Sequence, residues 1–267
     1  MVRKIIAILF LLFGFITAGS LYQPLDLKDN FTYLKLRGLV AEHREAPKPS
    51  ELIEAHFIPL GWGGNRRFAF LLIPANEARD CEWAELHIQD LSTDKTLFEK
   101  EYELCIPPGS LHEERQVEDS LGLLFQRLER RYRRAIDGVL ARFGIMETPP
   151  IKLLEFPITI DQNPINYSLE THRKTEPMFS QDDLFVKNWR LQLIRELSAK
   201  RSLRKTIHTE TYQNPTGLYD LRPLGYFLSP DRQRLAILVA MVLRGWEGTP
   251  AVTEFQIVGA SLTKGWK

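Results

Sequence analysis

The chain reads as an α+β protein, mainly antiparallel β meanders with one long amphipathic helix at about residues 119–143. Three observations predict this class. Short apolar or alternating runs, separated by Gly, Pro, Asp and Asn, fill most of the chain, as strands joined by turns do. Leu121, Phe125, Leu128, Tyr132, Ile136, Val139 and Phe143 recur at three- and four-residue spacing, which is a helical stripe. The 267 residues are 44% hydrophobic and 10% aromatic, enough for a sizeable core and too apolar for a disordered chain.

The N-terminus comes first. Arg3 and Lys4 lead into an uncharged apolar run, Ile5 to Ile16, that closes on Thr17, Ala18, Gly19 and Ser20. This is the layout of a secretory signal peptide over residues 1–20, with cleavage expected after Ala18 to Ser20. A run of about a dozen residues falls short of the roughly 20 that a spanning helix needs, and no cysteine stands nearby to take a lipid. The mature chain is therefore expected to be periplasmic or secreted, with no transmembrane anchor. Residues 21–50, polar and carrying Pro47 and Pro49, read as an extended N-terminal segment. Residues 51–267 read as a single β-rich domain.

Arg67–Ile73, Trp83–Leu91 and Lys95–Leu104 form three successive strand patterns, an antiparallel meander. With Ser92 to Asp94 as the second loop, Ile88 faces Phe98 and Ala84 faces Tyr102, so the apolar residues share one face. The same register sets Cys81 opposite Cys105, the only two cysteines. Opposed cysteines on neighbouring strands lie within bridging range, and an oxidising compartment lets them pair. The expectation is a disulfide; two separate buried thiols are the alternative. Two cysteines alone make half a zinc site at best.

The helical stripe runs from Asp119 to Phe143, with Gly144 suited to the C-terminal cap and Pro149-Pro150 preventing continuation. Its outer side carries Arg127, Arg130 and Arg134, flanked by Arg131 and Arg133: a solvated face, or one for an anionic partner. Lys152–Thr159 and Asn166–His172 read as short strands around a turn at Asp161 to Pro164. Leu184–Leu197 is read as a strand from Phe185, Trp189, Leu191 and Leu193; a helix capped by Ser180 and Asp183 is the alternative. Leu203–Tyr212 alternates and is rich in threonine, which suggests a hairpin with a basic tip at Lys200–Lys205.

The chain also echoes itself. Pro59-Leu-Gly-Trp62 precedes one strand pattern and Pro223-Leu-Gly-Tyr226 precedes another, Arg234 to Ala240, so that 59–104 and 223–259 share a layout. Within the second copy, Ser229-Pro-Asp-Arg-Gln-Arg-Leu-Ala236 resembles the turn of TolB-type β-propeller repeats, with Arg232 where such repeats usually have glycine. Over its whole length the chain resembles a family of bacterial secreted proteins with a domain of unknown function. Pro59-Leu-Gly-Trp62, Ile88 to Lys95, Gly225 to Pro230, Arg244 to Gly248 and Ile257 to Gly259 carry that resemblance. At the first turn the family's Ser-x-Asp-Gly type is replaced by Gly63-Gly-Asn-Arg66. The resemblance implies export to the periplasm and transfers no activity.

Known catalytic signatures are missing: no nucleophile elbow, zinc-protease helix, phosphate loop or dinucleotide fingerprint occurs. With 35 Lys plus Arg against 34 Asp plus Glu, no global field favours nucleic acid. His208 and Glu210 share a strand face, and His112, Glu113 and Glu114 adjoin in a loop; either set could hold a metal or move protons, or simply face water. In Arg244 to Pro250, Trp246 and Glu247 are the binding candidates, Trp246 suiting a sugar or a protein hot spot if displayed. Alternatively, Trp246 folds over the sheet edge and Glu247 holds the loop. The expected function is a non-catalytic periplasmic binding or envelope-interaction protein, without metal or cofactor, whose partner is an envelope protein or glycan. The alternative is a periplasmic hydrolase of glycan or peptide using carboxylates among Asp90, Asp94, Glu210 and Glu247.

Overall fold

The computed structural model describes residues 22–25, 27, 53–75, 82–105, 120–146, 151–160, 163–245 and 251–267. Within them the chain runs β1 (His56–Gly63), β2 (Arg67–Ile73), β3 (Trp83–Asp90), β4 (Lys95–Glu103), α1 (Ser120–Arg142) and β5 (Ile145–Met146). It continues through β6 (Ile158–Ile160), β7 (Asn163–Glu176), β8 (Ser180–Ser198), β9 (Arg201–Thr211), β10 (Leu218–Leu228), β11 (Arg234–Leu243) and β12 (Val252–Ser261). The strands make three antiparallel sheets, ordered β4-β3-β2-β1-β5, β10-β11-β12 and β6-β7-β8-β9. The α+β class, mainly antiparallel β with one long amphipathic helix, is the one the patterning predicts.

Three apolar cores stack these elements in four layers. Leu124, Phe125, Leu128, Ile136 and Leu140 of α1 close over Ala69, Leu71, Leu86 and Ile88 of the first sheet. Burying each such side chain is worth about 1.5–3 kcal/mol, which holds a helix whose outer face is strongly basic. The other face of that sheet, with Phe57, Phe68 and Phe70, packs on Phe227, Leu238 and Phe255 of the second sheet. The second sheet's remaining face, with Leu235, Ile237 and Val258, packs on Val186, Trp189 and Leu191 of the third. β11 is therefore covered on both sides, with Ala236, Leu238, Ala240 and Val242 in one core and Leu235, Ile237 and Val239 in the other. An apolar run without alternation is what such a strand requires.

The two Pro-Leu-Gly segments precede β2 and β11 as expected, and each lies inside the strand before, β1 and β10. In each, the ladder slips at the leucine, between Pro59 and Gly61 and again between Pro223 and Gly225. A bulge there suits a proline that has no N–H to pair. It also turns Trp62 away from Leu60, and Tyr226 away from Leu224, into different cores. Each glycine is needed for close approach: a Cβ on Gly61 would strike the Met146 carbonyl, and one on Gly225 the Leu154 carbonyl. Met146 pairs with Trp62, and Leu154 bridges Tyr226 through two hydrogen bonds of 2.8 Å.

Several boundaries differ from expectation. Leu184–Leu197 is strand throughout, part of β8, with Trp189, Leu191 and Leu193 buried on one side. The expected strand at Lys152–Thr159 is reduced to the Leu154 bridge and the start of β6, because Pro157 offers no donor just before it. The β8–β9 hairpin turns at Ala199 and Lys200, so Arg201 to Lys205 belong to β9, and the Lys205 ammonium donates to the Ser261 and Lys264 carbonyls. In β3–β4 the pairs Ala84–Tyr102 and Ile88–Phe98 form as expected, followed by a slip that leaves Leu97 unpaired. Trp83 faces Glu103, while Cys81 lies outside the described residues. The leader at 1–20 and most of 21–50 also lie outside them; Tyr22 and Leu27 are buried, and the Leu25 N–H donates to the Phe57 carbonyl.

Candidate functional site: a polar seam where three sheets meet

Alternation along β3 creates the first wall. Ala84, Leu86 and Ile88 are sealed under α1, so Glu85, His87 and Gln89 point toward the second sheet and are half-buried. That sheet has three strands against five, and its edge strand β12 lies beneath β3. The Gln89 amide donates to the Ile257 carbonyl at 2.9 Å, and the Gly259 N–H donates to Asp94 Oδ1 at 2.7 Å. A Cβ on Gly259 would meet the Leu91 carbonyl and Asp94 itself, so only glycine admits the β3–β4 turn this close.

The second wall is β9, the edge of the third sheet. His208 and Glu210 share its inward face, with His208 Nε2 3.2 Å from Glu210 Oε2. The His208 ring lies over Trp189 at 4.4 Å between centroids, and Trp189 is 1% exposed. The Trp189 indole N–H is 3.2 Å from the Tyr212 hydroxyl and also bonds Glu210, which takes a further bond from Gln256 of β12.

The first wall repeats this unit. His87 Nε2 is 3.1 Å from Glu85 Oε2, the Trp83 indole donates to Glu85 Oε1 at 2.9 Å, and His87 stacks on Phe70 at 5.0 Å. Each wall thus presents a carboxylate held by an imidazole and an indole N–H, the imidazole resting on an aromatic ring. Glu254 of β12 is within electrostatic reach of both walls: the Glu85 charge acts on it, and its own charge acts on Tyr212.

These surroundings push the carboxyls apart. The bond from His208 holds Glu210 below the usual glutamate range. Burial, and then the Glu85 charge, push Glu254 upward, although its side chain keeps a solvent-exposed surface. Burial raises Asp94 as well, and raises the Tyr212 hydroxyl to about 12. Among the described residues no three His, Cys, Asp or Glu side chains converge closely enough to hold a metal. The seam is equipped to donate and accept protons and hydrogen bonds.

No protein-family model, curated protein or solved structure matches the chain.

Of the residues singled out from the sequence, His208 and Glu210 meet in the seam and Asp94 closes its end. Asp90 is occupied otherwise, paired with Arg66 at 2.6 Å and accepting from the Ser92 N–H and hydroxyl at 2.8 and 2.6 Å, a turn-holding role. Trp246, Glu247, His112, Glu113 and Glu114 lie outside the described residues. In the arginine stripe, Arg127 donates to the Cys105 carbonyl at 2.6 Å and Arg133 pairs with Asp137, while Arg130 and Arg134 are exposed. A recess of about 300 Å³ with largely apolar walls lies there, between Leu104 and Arg131. Sequence reasoning missed Glu85, His87, Tyr212 and Glu254. The polar half of the Trp83–Asp90 alternation was a usable signal for the first two; Glu254, inside the apolar stretch Ala251 to Val258, had none.

Proposed function

We propose that the chain is exported to the bacterial envelope and acts there as a binding protein whose ligand, a glycan, seats in the seam between β3, β12 and β9. One observation carries this reading: two imidazole–carboxylate–indole units form a half-buried polar strip along the edge strand of a sheet that is sealed on both faces by apolar cores. Carboxylates, the Gln89 and Gln256 amides and the Tyr212 hydroxyl supply the hydrogen-bonding groups that sugar hydroxyls need, with the partly exposed Trp83 beside them. Export rests on the 1–20 leader and on the resemblance to secreted bacterial proteins. A Cys81–Cys105 bridge belongs to the same proposal, supported by the β3–β4 register beside it.

Co-sedimentation of the mature protein with purified peptidoglycan sacculi tests the binding. Retention of the wild type, weakened at least tenfold by His208→Ala and by Trp246→Ala, is the expected result. Equal retention of wild type and both variants, or none at all, would sink it. Mass spectrometry of protein taken from the envelope checks the address: a chain starting between Gly19 and Leu21 with no free thiol is expected, and an intact leader or two thiols would refute it.

A further inference from the structure

The recess beside α1 lies between that helix and the chain just past β4, with Glu103, Leu104, Cys105, Arg127, Arg130 and Arg131 as its lining and a volume of about 300 Å³. Its walls are braced by hydrogen bonds. The Leu104 N–H donates to the Glu82 carbonyl at 2.8 Å, the Tyr132 hydroxyl to the Glu103 carbonyl at 3.0 Å, and Arg127 to the Cys105 carbonyl at 2.6 Å. Arg127, Arg130 and Arg131 stand three and four residues apart, so one side of α1 presents all of them. The walls are largely apolar: the arginines border the recess with their carbon stems, and exposed Arg130 and Arg131 keep their charged ends toward water.

Positive charge gathers at this place. α1 holds six arginines against Glu129 and Asp137, in a chain whose formal charge is only +1. Arg127 is committed to backbone carbonyls and Arg133 to Asp137. Arg131 overlies the Tyr132 ring at 5.4 Å, and neither it nor Arg130 has a carboxylate partner among the described residues. Glu103 is the single acidic residue of the lining. An apolar hollow gains nothing from a bare inorganic anion, and two unneutralised guanidiniums gain nothing from a neutral hydrocarbon. One molecule with both parts satisfies both features.

We propose that this recess binds an amphipathic anion, its aliphatic chain in the hollow and its phosphate or carboxylate head on Arg130 and Arg131. The guanidinium fork matches either head through paired N–H donors. The volume is at the lower end of the ~300–1,000 Å³ of small-molecule sites, so a single-chain amphiphile is the suitable probe. α1 covers the face of the first sheet opposite the one turned to the seam, so this is a second site, and sacculus binding neither supports nor weakens it.

Calorimetric titration of the purified protein with dodecyl phosphate, kept below its micelle concentration, tests the proposal. Saturable binding is expected, with inorganic phosphate, a head without a chain, and dodecyl maltoside, a chain without a charge, each weaker by at least ~10-fold. The pair Arg130→Gln and Arg131→Gln should weaken dodecyl phosphate by at least ~10-fold. Arg134→Gln with Arg142→Gln removes the same charge from the same helix outside the recess, and should change affinity by less than about twofold. All four arginines are exposed, so unchanged melting temperatures are expected to accompany both pairs. No saturable binding, equal binding of dodecyl maltoside, or equal weakening by the two pairs overturns the proposal. Flotation with phosphatidylglycerol vesicles separates the two sources of such a head. Co-flotation lost in the Arg130 and Arg131 pair supports a membrane lipid, and dodecyl phosphate binding without co-flotation supports a free amphiphile.

Discussion

Replacing Gly259 by alanine strikes the contact on which the seam is built. The new Cβ would meet Asp94 Oδ1 at 2.7 Å and the Leu91 Cα at 2.7 Å, besides the Leu91 carbonyl, so the whole β3–β4 turn must withdraw from β12. Withdrawal breaks the 2.7 Å bond from the Gly259 N–H to Asp94. A hydrogen bond to a charged group is worth about 1.5–3 kcal/mol, and forcing a methyl into a filled site costs about 1–3 kcal/mol. One movement relieves the clash and loses the bond, so the two terms overlap, and the expected destabilisation is about 2–4 kcal/mol. Urea unfolding reads it as a lower midpoint with little change in slope. The cycle with Asp94→Ala is the sharper measurement, because in the alanine background the Asp94 bond is already gone. The double variant should cost less than the two single ones together by more than about 0.5 kcal/mol. Additive effects, or a Gly259→Ala loss below about 0.5 kcal/mol, would show that the turn does not hold this edge.

Three further outcomes follow from the same contacts. Arg66 and Ser92 hold the Asp90 carboxyl far below the usual range against the opposing effect of burial, so its stabilisation is present above its unfolded pKa of about 3.9 and fades as pH falls below that. Wild type should therefore exceed Asp90→Asn in melting temperature at neutral pH by more than at pH 3; a constant difference would refute the assignment. Arg232 sits at φ 57°, the left-handed region, so Arg232→Gly should stabilise the chain by about 0.5–1 kcal/mol, and a lower melting temperature would count against it. Leu128 is fully buried between α1 and the first sheet, and Leu128→Ala should cost about 2–5 kcal/mol in chemical denaturation; a loss under about 1 kcal/mol would mean the helix is not seated there.

What could be read from the chain followed the range of each signal. Arg67–Ile73 was legible to the residue because local alternation and a flanking turn decide a hairpin strand. The 119–143 helix was legible because its stripe repeats over six turns. The pairing of Ile88 with Phe98 followed from one short loop. The division into three sheets was not legible, since nothing in β11 says which of its neighbours covers which face. The seam was half legible for the same reason: His208 and Glu210 are two residues apart, whereas Glu254 reaches them only through β12 lying beside β9. The Pro-Leu-Gly echo was visible as letters, but its cause, a bulge pressed against a passing carbonyl, needed the backbone.

The placement of the seam follows from the layering. A sheet buried on both faces offers a ligand only its edges, and an edge with unpaired backbone must be covered or it recruits another strand. β12 is covered piecewise: Ile53 pairs beside Thr253, Gln89 takes the Ile257 carbonyl, and Asp94 takes the Gly259 N–H. Side chains that reach an edge in this way must come from neighbouring sheets and must be polar, so the cover draws amides and carboxylates to one line. Local partners then separate the behaviour of groups with like chemistry: the His208 bond lowers Glu210, whereas burial raises Glu254. The polar strip is thus what three stacked sheets of unequal width produce at the narrow one's edge, and the paired imidazole–carboxylate units on its walls exceed what edge protection alone requires.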